Sequence, residues 1–476
     1  MASSVYPTGT TIYDPAKCWN GYTIFQAARD LCAILVDMNG NVVNQWRGLL
    51  GFPNKVLPGG YVMGSTGVRN PKYGLQDYLD LVQVDWDGNI VWKFNKYERV
   101  KDPRQKPTWM ARQHHDFQRQ GNPVGYYIPG MDPLAAEGNT LILCHKNLRN
   151  PKVSDKLLLD DTIIEVTWEG KIVWEWVCSD HFDEMGFSED ARNTMARNPN
   201  MRDVGGGMGD WMHMNAMSAL GPNKWFDSGD ERFHPDNIMW SSRQTNIMAI
   251  VDKKTGRIVW QVGPDYTSPP LRKLKQIIGQ HHAHMIPHGL PGEGNILVFD
   301  NGGRAGYGAP NPGAPTGLNN ALRDYSRVLE FDPVNLEIVW QYTAREAGFV
   351  AQDDYKFYSH FVSSAQRLPN GNTLITEGAD GRIFEVTSSH ELVWEYVSPY
   401  YGKKRNQNMV YRAYRVPYRW IPQHGKPEEK AVKRLDNRKF RVPGSSRKRA
   451  FKVTTIKAAR RIAFSPEMCV LPAEEE

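Results

Sequence analysis

The sequence lacks the features that mark several classes of protein. It contains no apolar run of about 18 residues, the length of a membrane-spanning helix, so no membrane association is expected. Residues 1–20 show neither the basic nor the apolar segment of an export signal, and we therefore expect a cytoplasmic location. The few cysteines are scattered without CxxC spacing, which argues against a disulfide framework and against a zinc–thiolate site.

Charge is unevenly distributed along the chain. The whole sequence has a net charge of +6, yet residues 401–476 hold 20 lysines and arginines against 7 acidic residues. This basic segment has no nucleic-acid-binding signature, and aromatic residues and prolines are interleaved with its charges in MVYRAYRVPYRWIP. We expect an extension that packs on the body of the protein or on a neighbouring subunit of a homo-oligomer, and no nucleic-acid partner.

A hairpin pattern recurs six times in the chain. Each copy has an alternating apolar strand, a turn and a second strand that ends in tryptophan, which is typical of a β-hairpin. The copies lie at 35–46, 82–92, 163–174, 249–260, 329–340 and 384–394. Four of the turns contain Asn-Gly, Asp-Gly, Glu-Gly or Thr-Gly, which suits residues of positive φ.

A second strand pattern, opened by a glycine turn, precedes several copies of the hairpin. Its examples are at 57–64, 137–144, 293–300 and 368–378. Two such strand pairs make a four-stranded antiparallel blade, and six blades predict an all-β, six-bladed β-propeller. A β-sandwich is the alternative fold, but it does not account for six copies of one hairpin. We place the propeller at residues 1–400 and the basic C-terminal extension at 401–476.

The irregular spacing of the copies predicts insertions between the strands. The chief ones are residues 93–135, 178–235 and 302–325. The function of a propeller normally lies in the loops and inner strands at one mouth of its channel. We therefore expect these insertions to build a substrate pocket there.

Histidines are concentrated in four short segments, RQHHDF, DWMHMN, GQHHAHM and YSHF. When the repeats are superimposed, His115, His213 and His281 take nearly equivalent positions, and His360 lies close to that position in the last segment. Equivalent inner-strand positions of a propeller converge on its axis, so we expect three or four imidazoles at one channel mouth. The histidines that fit no repeat are interpreted as partly buried hydrogen-bonding residues: His145, His181, His234, His390 and His424.

Other polar residues accompany the clustered histidines. Asn215 lies two residues after His213, Arg243 and Asn246 lie in SSRQTN, and Arg304 follows FDNGG. Guanidinium groups beside imidazole donors suit a tetrahedral oxyanion such as sulfate. The residues expected to bind substrate are His115, Asn215, Arg243, Asn246 and His282.

These segments resemble the aryl-sulfate sulfotransferase (arylsulfotransferase) family. The similarity is carried by the ordered motifs GDWMHMNAM, IMWSSRQTNIMAIVDKKTGRIVWQVG, GQHHAHM, GNILVFDNGGR and YSRVLEFD, and it covers about residues 10–400. Members of this family have a six-bladed β-propeller, which agrees with the repeat count.

The resemblance implies sulfuryl transfer from one phenol sulfate to another phenol, without a cofactor. In the family a histidine accepts the sulfuryl group, while other histidines and an arginine bind it and move the phenolic proton. His213 matches the histidine of DWxHxN, His281 that of the QH motif, and Arg304 the arginine after FDNG. His360 is the nearest candidate for the accepting histidine, so these four residues are expected to be catalytic.

Two other functions stay open on the residues alone. One is a metal-dependent lyase, hydrolase or oxygenase, in which a divalent Fe, Zn, Ni or Cu ion is held by His115, His213, His281 and His360. The other is a non-catalytic scaffold. For either enzyme we expect a flat aromatic substrate, because aromatic residues lie near the histidines in sequence: Tyr126, Tyr127, Trp211, Trp240 and Tyr358.

Overall fold

A computed structural model describes residues 7–27, 32–74, 76–200, 209–402 and 407–436. Regular structure in these ranges is mainly short β-strand, as the recurring hairpins predict. In chain order the strands are β1 Gly9–Tyr13, β2 Tyr22–Ala27, β3 Cys32–Val36, β4 Val42–Arg47, β5 Leu50–Leu57, β6 Tyr61–Ser65, β7 Leu81–Val84, β8 Ile90–Phe94, β9 Glu98–Val100, β10 Thr108–Met110, β11 Gln113–Arg119, β12 Thr140–Asn150, β13 Ser154–Val166, β14 Ile172–Val177, β15 Met214–Ala219, β16 Ile238–Ser242, β17 Ile247–Val251, β18 Ile258–Val262, β19 His281–Met285, β20 Ile296–Asp300, β21 Ala305–Tyr307, β22 Leu318–Ala321, β23 Arg327–Phe331, β24 Ile338–Tyr342, β25 Ser364–Arg367, β26 Thr373–Glu377, β27 Arg382–Val386, β28 Leu392–Val397 and β29 Ala413–Val416.

Helices are few and short in the described part of the chain. The α-helices are α1 Glu189–Arg197, α2 Lys224–Asp227 and α3 Pro269–Arg272, and 3₁₀ turns span Cys178–Met185, Glu231–Phe233, Ala351–Lys356, Gly378–Asp380 and Tyr418–Trp420. The Ser188 side chain caps α1 by accepting a hydrogen bond from the Ala191 amide. None of these described helices has the length and apolar character needed to cross a membrane.

The strands form six antiparallel sheets that are the blades of a β-propeller. From the inner to the outer strand, blades one to six are β29-β2-β3-β4, β5-β6-β7-β8, β11-β12-β13-β14, β15-β16-β17-β18, β19-β20-β23-β24 and β25-β26-β27-β28. The hairpins β9–β10 and β21–β22 lie outside the blades. The predicted all-β six-bladed propeller is therefore confirmed.

Each predicted hairpin forms the two outer strands of a blade, and its final tryptophan contacts the next blade. The indole N–H of each of these tryptophans donates a hydrogen bond to a backbone carbonyl in the hairpin turn of that blade. The pairs are Trp46 with Asp85 (3.3 Å), Trp92 with Trp168 (2.7 Å), Trp174 with Lys253 (3.0 Å), Trp260 with Pro333 (2.8 Å), Trp340 with Ser388 (3.0 Å) and Trp394 with Met38 (2.8 Å). The repeated tryptophan thus links successive blades around the whole ring.

Loss of one of these links is expected to destabilise the propeller in proportion to its burial. Trp260 is buried, whereas Trp340 is half-buried at the surface. We expect Trp260→Phe to lower the free energy of unfolding by about 1–3 kcal/mol, because the buried Pro333 carbonyl loses its donor. Trp340→Phe should cost less than about 1 kcal/mol, because water can replace the indole. Chemical denaturation compares the two variants, and equal losses contradict this account.

Both ends of the described chain close the ring. β1 pairs with β28 at the outer edge of blade six, and β29 pairs with β2 as the inner strand of blade one. Two segments from opposite ends of the chain therefore cross the seam between the first and last blades. The propeller continues beyond the predicted boundary at residue 400, because residues 413–416 supply one of its strands.

The predicted basic extension is described only in part. Residues after β29 pack on the propeller: the Tyr22 hydroxyl lies 2.9 Å from Nδ1 of His424, and the Asn39 amide donates to the Lys430 carbonyl at 2.7 Å. Residues 437–476 lie outside the described ranges. Contact of this extension with a second subunit stays a prediction.

Two of the predicted insertions meet beside blade four. Residues 178–235 contain α1, residues 302–325 contain β21 and β22, and the Thr194 hydroxyl of α1 donates to the Gly308 carbonyl at 3.2 Å. A cavity of about 150 Å³ lies against these insertions, with Phe187, Asn246, Tyr307 and Asn320 in its wall. The insertion at 93–135 carries the β9–β10 hairpin, whose residues line a larger open cavity of about 740 Å³.

Candidate active site

The innermost strands of three neighbouring blades carry the clustered histidines. His115 lies on β11, His213 directly precedes β15, and His281 begins β19. The backbone is left-handed at His115 (φ 52°) and His213 (φ 53°), and in the third segment at His282 (φ 53°). This conformation is uncommon for residues other than glycine, so the chain makes a similar constrained turn at the start of each inner strand. His281 comes one residue before that turn, which differs by one position from the superposition of the repeats.

The imidazoles of His115, His213 and His281 lie close together, and two of them lie beside Tyr411. The rings of His115 and His213 are in edge-to-face contact, with centroids 4.7 Å apart. The ring centroid of Tyr411, just before β29, is 5.7 Å from that of His115 and 6.5 Å from that of His281. The three histidines are buried and keep only 2–5% of their surface exposed. The structure therefore brings together the three residues expected at one channel mouth.

One ring nitrogen of His213 and one of His281 are held by acceptor groups. Nδ1 of His213 lies 2.7 Å from Oδ2 of Asp210. Nδ1 of His281 lies 2.7 Å from Oδ1 of Asn301 and 3.0 Å from the Gly279 carbonyl. These partners accept hydrogen bonds, so each Nδ1 carries a proton. In the neutral ring, each Nε2 therefore has a free lone pair.

Burial keeps members of this cluster uncharged. Desolvation is the largest cause of the lowered pKa of His115, and the neighbouring His213 adds to it. Desolvation also holds the pKa of His281 well below its ordinary value, and the guanidinium of Arg243 lowers it further. Neutral imidazole is the form that acts as a nucleophile or a base, so His115 and His281 suit such chemistry at neutral pH.

Arg243 reaches the histidine cluster from the turn after β16. Its charge lowers the pKa of both His281 and His360, in each case after the larger effect of desolvation. Its Nη2 donates to the Arg304 carbonyl at 3.2 Å. The Arg304 side chain is exposed, and its charge acts on Tyr358. Of the two expected arginines, Arg243 is therefore the one whose charge acts on the histidines.

The remaining expected residues take other positions. His360 is half-buried, with its ring centroid 4.5 Å from that of Phe361. The side-chain amide of Asn215 donates a hydrogen bond to the Gln280 carbonyl at 2.7 Å. Oδ1 of Asn246 accepts a hydrogen bond from the backbone amide of Gly279 at 2.8 Å. The two asparagines thus join blades four and five.

Next to the cluster, a buried ionic network crosses the channel. Asp116 accepts hydrogen bonds from Nζ of Lys55 (2.7 Å) and from Nη1 of Arg412 (2.9 Å). Arg412 also donates to the Tyr414 hydroxyl at 2.9 Å. His282, expected at the substrate, faces this network, and its Nε2 lies 3.5 Å from the Tyr414 hydroxyl. Inner strands from blades one, two, three and five therefore meet at the centre of the propeller.

His284 makes stability depend on pH. Burial lowers its pKa from 6.5 to about 4, and its Nε2 lies 2.9 Å from the Tyr126 hydroxyl. Between these values the unfolded chain binds a proton that the folded chain does not. This contribution to stability is complete above about pH 6.5 and is lost as the pH falls through about 4. We expect His284→Gln to flatten the acid decline of the free energy of unfolding, which urea denaturation across this range measures; an unchanged slope contradicts the assignment.

The aromatic residues near the histidines divide between the core and the surface. Trp211 and Trp240 are fully buried in a hydrophobic cluster between blades three and four, so they do not line an open mouth as expected. Tyr126 is fully buried beside the channel. Tyr127 and Tyr358 are half-buried. Substrate therefore has few of the expected aromatic surfaces available.

Several residues at the site are not identified from the sequence. Tyr411 and Arg412 come from the segment interpreted as an extension, where no repeat indicates a strand. Phe52 packs edge-to-face on Tyr411, with centroids 4.9 Å apart. Asp210 stands three residues before His213 in GDWMH, and this carboxylate beside a motif histidine is the one signal that was available.

Metal-ligating atoms meet at a place different from the expected one. Within the described ranges, a group of three possible ligand atoms within 4.8 Å of one another is formed by His114, His145 and Asp161. In the same ranges, no such group is formed by the four histidines of the alternative metal site, His115, His213, His281 and His360.

Comparison with solved structures finds similar chains at low sequence identity. A protein of unknown function from Bacteroides caccae is 11% identical with a TM-score of 0.42, covering 83% of this chain and 99% of that chain. The β-propeller domain of Cps50 (Swd1) from Myceliophteria thermophila is 9% identical with a TM-score of 0.36, covering 84% and 89%. Virginiamycin B lyase from Staphylococcus aureus is 10% identical with a TM-score of 0.33, covering 82% and 83%. These similarities carry no argument about activity.

The comparison with protein families is more specific. No curated protein matches the chain. Residues 133–412, more than half of the chain, match the model of the Arylsulfotransferase (ASST) family. The matched segment includes His213, His281 and Tyr411, which meet at the histidine cluster. The resemblance carried by the ordered motifs is confirmed, and the chain belongs to the arylsulfotransferase family.

Proposed function

We propose that the protein transfers a sulfuryl group between phenolic compounds at the cluster of His115, His213 and His281. Family membership supports a transferase that acts on aromatic compounds. The observation that carries the finer proposal is the clustering of these buried imidazoles. His115 contacts His213, Tyr411 lies beside His115 and His281, and the charge of Arg243 acts on His281. Neutral imidazoles beside a guanidinium suit both binding of an anionic sulfate ester and attack on it.

In the first half-reaction, His213 is the proposed nucleophile. Asp210 holds its Nδ1–H, which leaves Nε2 available and stabilises the positive charge that the ring acquires. Nε2 attacks the sulfur of an aryl sulfate, the N–S bond forms, and the bond from sulfur to the aryl oxygen breaks. The first phenol leaves as phenolate with the bonding electron pair.

In the second half-reaction, His281 is the proposed base. Its Nδ1–H is held by Asn301, so Nε2 can take the proton of the acceptor phenol. The acceptor oxygen attacks sulfur, the N–S bond breaks, and its electron pair returns to His213. The proton then passes from His281 to the phenolate or to solvent, which restores both imidazoles. The cycle needs no cofactor.

The sulfuryl oxygens require positive charge in both half-reactions. Arg243 is the proposed source of this charge, and His115 is the proposed hydrogen-bond donor beside it. Arg304, which matches the family arginine, and His360, the nearest candidate for the accepting histidine, are proposed to guide the donor.

The two arginines are expected to differ in their kinetic effects. Arg243→Met should lower kcat for sulfuryl transfer by about 10²-fold or more, because charge that develops in the transition state loses its partner. Arg304→Met should mainly raise KM for the sulfate donor, because an exposed guanidinium acts on binding. Steady-state kinetics of both variants test this, and a larger loss of kcat in Arg304→Met contradicts the assignment.

The direct test of the function is sulfuryl transfer by the purified chain. 4-Nitrophenyl sulfate incubated with a phenol acceptor should release 4-nitrophenolate, and mass spectrometry should detect the sulfated acceptor. Release without an acceptor product indicates hydrolysis instead. Absence of release across several aryl sulfates would falsify the proposed transfer.

A further inference from the structure

Three polar side chains of blade three face one another inside the protein. His114 lies on β11, His145 on β12 and Asp161 on β13, and His145 pairs directly with Asp161 across the two strands. All three side chains are fully buried, and their ligand atoms lie within 4.8 Å of one another. Adjacent strands of one sheet therefore hold these groups directly beside His115 of the proposed sulfuryl-transfer site.

The atoms that face the centre of this group have no hydrogen-bond partners. In the described part of the chain, Nε2 of His114, Nε2 of His145 and Oδ1 of Asp161 make no hydrogen bond. They are nevertheless close, since Oδ1 of Asp161 is 3.1 Å from Nε2 of His114 and 3.7 Å from Nε2 of His145. A buried polar atom without a partner is costly, and three of them at one point indicate that the group binds something.

The outer nitrogen of each imidazole is held as it is in metal-binding histidines. Nδ1 of His145 contacts the carboxylate of Asp77, which also accepts a hydrogen bond from Nε of Arg112 at 3.0 Å. Nδ1 of His114 lies 2.8 Å from Nδ1 of His115. A metal-ligating histidine commonly donates its second ring nitrogen to a carboxylate or another acceptor, which leaves a lone pair for the metal. Both Nε2 atoms can therefore keep a lone pair. The two rings are stacked, with centroids 3.6 Å apart, so one ring must rotate for both lone pairs to meet at one ion.

The charges around Asp161 favour a cation. The Asp161 carboxylate is fully buried, and its Oδ2 accepts a hydrogen bond from the Met214 amide at 2.9 Å. Among the ion pairs of those residues, Asp161 pairs only with His114 and His145, and with no lysine or arginine. A divalent ion neutralises a buried carboxylate that has no basic side chain beside it.

We propose that His114, His145 and Asp161 bind a divalent first-row transition-metal ion, such as Zn²⁺ or Co²⁺. Two imidazole nitrogens and one carboxylate oxygen are ligands typical of these ions. Water completes the coordination. The site differs from the four-histidine site expected from the sequence, and metal binding at it does not depend on sulfuryl transfer.

The bound metal also determines the tautomer of His115. A metal on Nε2 of His114 places the proton of that ring on Nδ1, which donates to Nδ1 of His115. His115 then carries its own proton on Nε2, where it can donate a hydrogen bond to a sulfuryl oxygen. This consequence, unlike the metal site itself, rests on the proposed function.

Metal content of the full-length chain tests the proposal. The protein is loaded with Zn²⁺ or Co²⁺, dialysed, and measured by inductively coupled plasma mass spectrometry. We expect about one ion per chain in the unchanged protein and at least a tenfold lower content in His145→Gln and Asp161→Asn. His284→Gln is the matched control, because it changes another buried histidine of an inner strand, and it should keep the ion.

A second measurement covers the case in which the ligand variants do not fold. The unchanged chain, stripped of metal by a chelator, should gain thermal stability when Zn²⁺ is restored, because the ion binds only the folded state. Unchanged protein that retains neither ion and shows no stabilisation overturns the proposal, as does equal metal content in His145→Gln, Asp161→Asn and His284→Gln. These readouts are independent of the transfer assay, so failure of sulfuryl transfer leaves the metal result interpretable.

Discussion

Replacing His213 with glutamine is expected to lower kcat of sulfuryl transfer by at least about 10³-fold. The variant removes the nitrogen that forms the N–S bond in the proposed first half-reaction. It also leaves Oδ2 of Asp210 without its partner at 2.7 Å. Steady-state kinetics with 4-nitrophenyl sulfate and a phenol acceptor measure the loss. Mass spectrometry of rapidly quenched protein should find a sulfurylated histidine in the unchanged chain alone.

Two further variants decide which histidine accepts the sulfuryl group. Asp210→Asn should lower kcat by about 10²-fold or more while His213 stays in place, because the asparagine no longer stabilises the charged ring. His360→Gln should keep the sulfurylated intermediate, because the ring contacts of this half-buried residue in the described structure are with Tyr358 and Phe361. An intermediate that survives in His213→Gln and is lost in His360→Gln assigns the nucleophile to His360 and contradicts our mechanism.

Asp116→Asn is expected to lower the free energy of unfolding by about 3–5 kcal/mol, the range for breaking a buried ion pair. Asp116 faces two buried cations, Lys55 and Arg412, at 2.7 Å and 2.9 Å. Without the carboxylate, Lys55 can lose its proton, since burial already lowers its pKa. The guanidinium of Arg412 cannot lose its proton in this way, so it stays charged in the centre of the propeller. Guanidinium chloride denaturation measures the difference.

The controls for this prediction are a second network variant and an exposed ion pair. Lys55→Met should cost clearly less than Asp116→Asn, because Asp116 still pairs with Arg412. Glu391→Gln breaks the pair of Lys17 and Glu391, whose side chains are 47% and 52% exposed, and should cost less than about 1 kcal/mol. Equal losses in Asp116→Asn and Glu391→Gln would show that burial does not govern the network.

The outer half of each blade could be predicted because its information is local. Alternating apolar residues, a turn and a closing tryptophan lie within about a dozen residues of one another, and all six hairpins form where this pattern occurs. β29 could not be predicted in this way. Its four residues do not match any of the repeated strand patterns. They lie in a basic stretch whose charges favour a surface extension. The Arg412 charge next to this strand is buried by partners from other blades.

The candidate site was predicted in part for a related reason. His115, His213 and His281 occur at matching places in successive repeats, so the symmetry of a propeller indicates that they converge. The residues that contact these histidines do not occur at matching places in the repeats, so the symmetry does not indicate them. Tyr411 approaches from the closing end of the chain, and His145 follows the repeated strand pattern at 137–144, just beyond the positions that the repeats superimpose.

The sequence by itself determined the fold class, the number of blades and the three histidines that meet. Each of these follows from a pattern of neighbouring residues that recurs along the chain. Only the tertiary structure decided which arginine acts on those histidines, which buried charges balance one another, and which three atoms of blade three lack partners. Such properties depend on distances between residues far apart in the chain. Closure of the ring, with strands from both ends of the chain, sets those distances.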